Sequence, residues 1–185
     1  GQSMLSRMTL GIAGLGRLGS MVAGYAHSFG MNVLFYDPFI SEWDERFEKN
    51  DTLEDLVSQS DIISVHVPHE KSTEKMFNEY IFSHFKPGAF FVNTSRGELV
   101  DHHSLLAALK NGHLSGAAVD VFEGEFDRDF GHTFKKHPLL KYAQSHSNLI
   151  ITPHIGGSTV DAWELTERFT IDKVIEALKT KGSVS

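Results

Sequence analysis

The chain has no cysteine, which excludes disulfides and agrees with a cytoplasmic location. No apolar run approaches the length needed to span a membrane. Positive charge is in deficit: 17 Lys and Arg stand against 24 Asp and Glu, a formal charge of −7. Nucleic acid and anionic membranes require a basic field, so neither is expected as a partner. The N-terminus Gly1-Gln-Ser-Met-Leu lacks the charged and apolar regions of a signal peptide, and Gly1-Gln-Ser reads as a cloning remnant. The 11 histidines include no His-Glu-x-x-His or other zinc spacing, so no metal is expected. His102 and His103, adjacent at a helix start, are expected to be solvated. Ser95 lacks a nucleophile-elbow context, which argues against a hydrolase. There is no internal repeat and no low-complexity tract. What remains is 185 residues of ordinary globular composition, enough for one good-sized domain with a real core.

Within that domain, Thr9-Leu-Gly-Ile-Ala-Gly-Leu-Gly-Arg-Leu-Gly19 dominates. Leu10 to Ala13 reads as a buried strand, and Leu18, Val22, Ala23 and Ala26 recur at helical spacing. Gly14, Gly16 and Gly19 therefore fall at a strand-to-helix turn in the spacing G-x-G-x-x-G. Gly14 allows a tight turn, Gly16 lets backbone approach a pyrophosphate, and Gly19 lets helix pack closely on strand. The amides at the helix start, with the positive end of the helix dipole, suit phosphate oxygens. The next strand, Asn32-Val-Leu-Phe-Tyr36, ends in Asp37, an acid about 20 residues on, as a dinucleotide fingerprint requires. A carboxylate there accepts from ribose hydroxyls and repels a 2′-phosphate. No Arg follows it closely, so the pattern favours NAD over NADP. The alternative, that Asp37-Pro38 is merely a turn, does not explain the ordered set of strand, glycines, helix, strand and acid.

The rest alternates similarly. Pro38 to Asn50 reads as a loop over the sheet edge, and Thr52 to Ser58 as a short helix capped by Thr52 or Asp51. Asp61 to Val67 reads as a strand ended by Pro68, and Glu74 to Phe85 as weakly helical. Ala89 to Asn93 reads as a strand, followed by a helix over Ser104 to Lys110, capped by Asp101 and stopped at Gly112. Gly116 to Val121 and Asn148 to Thr152 read as strands flanking a long polar segment, Glu123 to Ser147, with little periodicity. Ser158 or Thr159 caps a closing helix, in which Ile171, Val174, Ile175 and Leu178 share one apolar face. Continuous Ile, Val and Phe strands alternating with helices predict an α/β fold: a Rossmann-type, doubly wound parallel sheet with helices on both faces. Ligands bind such sheets outside the carboxyl ends of the strands, so the chemistry should lie there.

Three of those ends carry a coherent set. In Asn93-Thr-Ser-Arg-Gly97 a guanidinium follows a turn that Gly97 permits, and it could grip a carboxylate with two parallel hydrogen bonds. Asp120-Val-Phe-Glu-Gly-Glu125 places acids where one could orient a histidine. Thr152-Pro-His-Ile-Gly-Gly157 places a histidine at a strand end, beside two glycines that leave room for a substrate. Together they suggest reduction of an α-keto acid. Arg holds the carboxylate, the nicotinamide gives hydride, and a protonated His, supported by an acid, gives the proton.

These motifs, in this order, resemble the D-isomer-specific 2-hydroxyacid dehydrogenases across nearly the whole chain. The resemblance extends to their phosphoglycerate dehydrogenase and hydroxypyruvate/glyoxylate reductase branches through the Gly156-Gly-Ser-Thr159 run. The resemblance implies that Arg96 binds the substrate carboxylate, that His154 is the acid/base and that Glu125 is its partner. It implies that backbone at Arg17 and Leu18 meets the pyrophosphate and that Asp37 meets the ribose. Val67, Pro68, Thr94, Ser95, Asp120, His154, Ile155, Gly156 and Gly157 would line the adenine and nicotinamide portions. Phe126 stands where the family usually has proline, and the segment from Phe126 to Ser147 is longer than usual. By the same resemblance, residues 1–8 are remnant and linker, residues 9–180 form one NAD-binding domain, and the substrate-binding domain is absent from the chain. NAD binding with little turnover is then expected, with pairing into a homodimer through the cofactor domain. The alternative is a nucleotide-dependent interaction protein on the same scaffold, like the family's corepressors. An alanine-dehydrogenase relative is disfavoured by the Ser-Arg-Gly and Pro-His-Ile-Gly-Gly motifs.

Overall fold

In the computed structural model, residues 4–182 are described. The chain divides into two compact units, one ending at Pro153 and one beginning at His154. Among the described residues, the first unit carries seven strands: β1 (Thr9–Ala13), β2 (Asn32–Tyr36), β3 (Glu48–Lys49), β4 (Ile62–Val65), β5 (Ala89–Asn93), β6 (Leu114–Val119) and β7 (Leu149–Ile151). They form a single sheet in the order β3-β2-β1-β4-β5-β6-β7. Every neighbouring pair is parallel. The connections run outward to one edge from β1 and to the other from β4. The switch point lies between these two strands, and a crevice opens at their carboxyl ends.

Alternating residues on the strands build two cores. On β2, Val33 and Phe35 pack with Ala23 and Ala26 of α1 (Arg17–Ser28), together with Leu10 and Ile12 of β1. Leu34, between them, faces the opposite side, with Leu56 and Val57 of α2 (Leu53–Gln59). That second core continues under α3 (Glu79–Ser83), α4 (His102–Lys110) and α6 (Pro138–Ala143), with Phe91 of β5 near its centre. Helices thus cover both faces, as the doubly wound reading requires, but unequally. Phe90 of β5 and Ile150 of β7 point to the α1 side and remain exposed. The helices begin where their caps dictate: Thr52 Oγ1 accepts from Asp55 N–H at 3.1 Å, and Asp101 Oδ1 accepts from His103 N–H at 2.9 Å.

Several boundaries differ from the sequence reading. The loop Pro38 to Asn50 contains β3, which adds to the edge of β2 as Phe47 becomes buried beside α1. Of Glu74 to Phe85, only Glu79–Ser83 is helical. Before it, Glu74 and Lys75 lie in a turn and Phe77 forms an isolated parallel bridge with Val100. Strand β6 starts at Leu114 and ends before Asp120. The polar segment from Glu123 to Ser147 is not featureless but contains α5 (Phe130–Phe134) and α6. Phe130 and Phe134, one helical turn apart, stack at 5.0 Å, and Phe134 meets Phe122 edge-on at 4.8 Å. Phe130 and Phe134 are half-buried on α5, and Leu139 and Tyr142 are buried on α6. Two apolar residues per short helix leave a period too short to see among the charges around it.

The second unit is one helix, α7 (Val160–Gly182), and the turn preceding it. Thr159 Oγ1 caps it by accepting from Ala162 N–H at 3.1 Å. The apolar face of Ile171, Val174, Ile175 and Leu178 is exposed. Among the described residues, no helix is long and apolar enough to cross a membrane.

Candidate functional site

The turn after β1 is built from backbone. Gly14 takes φ +92° and donates its N–H to Tyr36 O at 2.9 Å, drawing the ends of β1 and β2 together. A Cβ on Gly14 would stand 2.9 Å from the His66 carbonyl, and one on Gly19 would stand 2.1 Å from Gly14 O. The turn therefore closes only with glycine at both places. Gly16, the N-cap of α1, is different: a Cβ there would meet nothing within 4 Å. Open space lies where the backbone faces outward at the helix N-terminus, next to the first-turn amides of Arg17 and Leu18 that have no intrahelical acceptor. Asp37 clamps this turn: Oδ2 accepts from Leu15 N–H at 2.9 Å and Oδ1 from Phe39 N–H at 2.9 Å.

These residues border a cleft of about 620 Å³. Gly14, Gly16, Asp37, Val67 and Pro68 meet there as the sequence reading expects. Tyr36, His66, Pro38, Phe39, Glu70, Ser72, Thr73 and Met76 complete its walls, and these were missed. Position at the end of β2 and just beyond β4 was the available signal for Tyr36 and His66, whereas nothing marked Met76. His66 Nε2 lies 2.9 Å from Ser64 Oγ, and burial lowers the His66 pKa below the ordinary histidine value.

A second group follows β5. Asn93, buried, donates Nδ2–H to Arg96 O at 2.8 Å and accepts from Ser95 N–H at 3.0 Å, so one side chain shapes the whole turn. Ser95 Oγ donates to Val67 O at 2.6 Å, fastening this turn to the end of β4. Thr94 and Arg96 are exposed, and the Arg96 guanidinium donates to Ser95 O at 2.6 Å. Asn93 was passed over in the sequence because its two bonds are visible only once the turn is folded. Gly97 does not permit the turn by its backbone freedom, as the sequence suggested. Its role is to leave room: a Cβ would stand 2.0 Å from Phe122 C. Beyond β6, Asp120 is buried and accepts from Thr152 Oγ1, and its N–H donates to Asn93 O at 3.0 Å. Glu125 Oε2 accepts from Phe122 N–H at 3.1 Å.

The expectation that His102 and His103 are both solvated holds for His103 alone. The His102 ring lies 5.2 Å from Phe122 and 5.1 Å from His137. Burial, reinforced by His137, lowers the His102 pKa to about 4; burial also lowers that of His137. In the second unit, His154 adopts φ 52°, a left-handed conformation uncommon for a non-glycine residue, and its carbonyl accepts from Ser158 Oγ at 3.4 Å. Ile155 is exposed, and a Cβ on Gly157 would meet open space. No group of three or more His, Asp or Glu suited to a metal occurs among the described residues.

A parallel sheet with a glycine-rich turn, a clamping acid and an open helix N-terminus at its switch point defines a dinucleotide-binding domain. Comparison with known proteins gives the particular family. The model of the D-isomer specific 2-hydroxyacid dehydrogenase, NAD binding domain, matches residues 2–156, and the chain belongs to that family. It is 42% identical over 164 residues to D-3-phosphoglycerate dehydrogenase of Bacillus subtilis (strain 168), covering 86% of this chain and 29% of that protein. The structure of D-2-hydroxyisocaproate dehydrogenase matches with a TM-score of 0.88 at 33% identity, covering 97% of this chain and 55% of the other. D-lactate dehydrogenase from Aquifex aeolicus, complexed with NAD and lactic acid, matches with a TM-score of 0.83 at 37% identity, covering 96% and 55%. The chain thus spans about half, or less, of the relatives it matches. The corepressor alternative finds no support among these relatives.

Proposed function

We propose that this chain is the NAD-binding part of an oxidoreductase that transfers hydride between NAD(H) and a D-2-hydroxy acid or its 2-keto acid. The observation that carries the reading is the open space at Gly16, at the head of α1 and beside the carboxylate of Asp37. An added Cβ would occupy the place where backbone amides can receive a pyrophosphate, so the residues present fit the group. Gly14, Gly16 and Gly19 with the amides of Arg17 and Leu18 hold the pyrophosphate. Asp37 takes the ribose hydroxyls on the lone pairs left beside its two backbone bonds. It disfavours a 2′-phosphate by charge repulsion. Val67 and Pro68 bound the adenosine side. Thr94, Ser95, Asp120, Ile155, Gly156 and Gly157 serve the nicotinamide side.

When bound, NADH supplies the hydride. The Arg96 guanidinium then binds the substrate carboxylate, for which its planar fork is suited. His154 donates a proton to the developing alkoxide, and Glu125 stabilises the imidazolium. The chain spans about half, or less, of the relatives it matches. This domain alone accordingly binds NAD with little turnover. We further propose a homodimer formed through the cofactor domain and a cytoplasmic location, as the resemblance implies.

Calorimetric titration with NADH and NADPH tests the reading, with Asp37→Ala and Asp37→Asn as variants. NADH is expected to bind at least about tenfold more tightly than NADPH, a difference of ~1.4 kcal/mol. The Ala variant should lose both the ribose acceptor and the clamp on Leu15. The Asn variant should lose the discrimination first. Equal affinity for the two cofactors in the parent chain would overturn the assignment of Asp37.

A further inference from the structure

The turns after β5 and β6 are bolted together at a point that neither the glycine fingerprint nor the reacting groups explain. Gly97 is buried, and a Cβ there would stand 2.0 Å from Phe122 C and 2.1 Å from Glu123 N. The Phe122–Glu123 peptide therefore lies directly against the Gly97 α-carbon. The next residue, Glu98, is half-buried, and its Oε1 accepts from Gly124 N–H at 3.3 Å. Its own carbonyl accepts from Lys75 N–H at 2.8 Å, so the backbone under Glu98 is also held. Gly124 takes φ +69°, which turns the chain sharply between Phe122 and Glu125. Two amides inside that turn each meet a carboxylate. Phe122 N–H is taken from within, by Glu125 Oε2 at 3.1 Å, and Gly124 N–H is taken from outside, by Glu98.

We propose that Glu98 is a positioning residue that pins the turn carrying Glu125 to the turn carrying Arg96. Its carboxylate and the backbone contact at Gly97 act as two adjacent fixings. The backbone contact sets how closely the turns approach, and the Glu98 bond stops the acid-bearing turn from pivoting about it. A hydrogen bond with an ionised acceptor is about twice as strong as a neutral one, which suits a single side chain to that task. Asp at this position is one carbon short of Gly124 N, whereas Gln keeps the acceptor oxygen without the charge. The inference rests on the assignment of Glu125 and Arg96 under Proposed function only for its consequence in turnover. The fixing itself is a statement about the fold.

The test is amide hydrogen exchange on this chain as the parent, as Glu98→Ala and as Glu98→Gln, with the β5 amide of Val92 as the control for folding. The decisive reporter is Phe122 N–H. Glu98 does not bond to it, so its protection reads where the Glu125 carboxylate sits. Glu98→Ala is expected to speed exchange at both Gly124 and Phe122 by about tenfold while Val92 stays protected, and Glu98→Gln to restore most of the protection. Loss at Gly124 with Phe122 unchanged would overturn the proposal, since Glu98 would then cap one amide and position nothing. Unchanged exchange at both would overturn it outright. The same variants in the full-length protein should lower kcat for 2-keto acid reduction by about tenfold in Glu98→Ala, with the KM for NADH unchanged. A normal kcat in Glu125→Gln would remove Glu125 from the chemistry while leaving the exchange result, and with it the fixing, in place.

Discussion

The turn after β1 and the turn after β5 solve the same packing problem at different ranges. Each uses a glycine to let one backbone segment touch another: Gly19 against the carbonyl of Gly14, and Gly97 against the Phe122–Glu123 peptide. In the first, both partners belong to one short motif, so strand, turn and helix carry their own instructions. In the second, a whole helix and a strand separate the partners, and the contact exists only because α4 and β6 return the chain to the same place. The first turn leaves a cradle open at Gly16. The second leaves none at Gly97 and holds its shape with side chains, Asn93 from beneath and Glu98 from the flank. A glycine at a strand end thus has two physical meanings, room for a ligand and room for the rest of the protein.

Substitutions separate those meanings, and the largest effect is expected where backbone meets backbone. Gly97→Ala must move the Phe122–Glu123 peptide and should cost about 3 kcal/mol of stability, read as a lower urea midpoint. Asn93→Ala leaves Ser95 N–H and Arg96 O without their partner and should cost about 2 kcal/mol. If Asn93→Ala proved the more damaging, the second turn would be held mainly by the side chain and not by close approach. Gly16→Ala should change stability by no more than about 0.5 kcal/mol, because the added methyl meets nothing. The same change should weaken NADH at least about tenfold in a calorimetric titration. Loss of stability with unchanged affinity would reverse the distinction.

Acid acts on both turns, through His66 beside the first and through His102 and His137 beside the partner of the second. His102 and His137 touch Phe122, which begins the turn bearing Glu125. Both have pKa values lowered in the folded state, so the neutral rings are favoured and their contribution is complete above the ordinary histidine value of 6.5. It is lost as pH falls from there toward about 4 for His102. Burial and His137 push the His102 value down, while Asp101 and Glu98 oppose that shift and His103 adds to it. Urea midpoints between pH 7.5 and pH 5 should fall as pH falls, and His102→Leu should flatten that slope.

Legibility divides along the same line. The glycine spacing, the acid ending β2, the Asp101 cap and the alternating elements all express interactions within a few residues, and all were readable. The exposed Arg96, the Glu125 turn and His154 were found through motif resemblance, but what holds them was not. The short helices α5 and α6 escaped notice because their packing partners lie outside them: Phe134 of α5 meets Phe122, and the buried Tyr142 of α6 donates its hydroxyl to Leu109 O. Strand β3 escaped because two residues pairing with an edge leave no pattern of their own.

Sequence alone determined the doubly wound order of elements, the dinucleotide turn with Gly14, Gly16, Gly19 and Asp37, and the family to which the chain belongs. The reason is that backbone conformation, capping and hydrophobic period are local. Only the tertiary structure decided that Gly97 is a contact and not a hinge, that Asn93 and Glu98 hold the arginine and acid turns, and that His102 sits among aromatic rings. Each of these depends on two distant segments meeting within van der Waals or hydrogen-bond distance, a condition no spacing along the chain encodes.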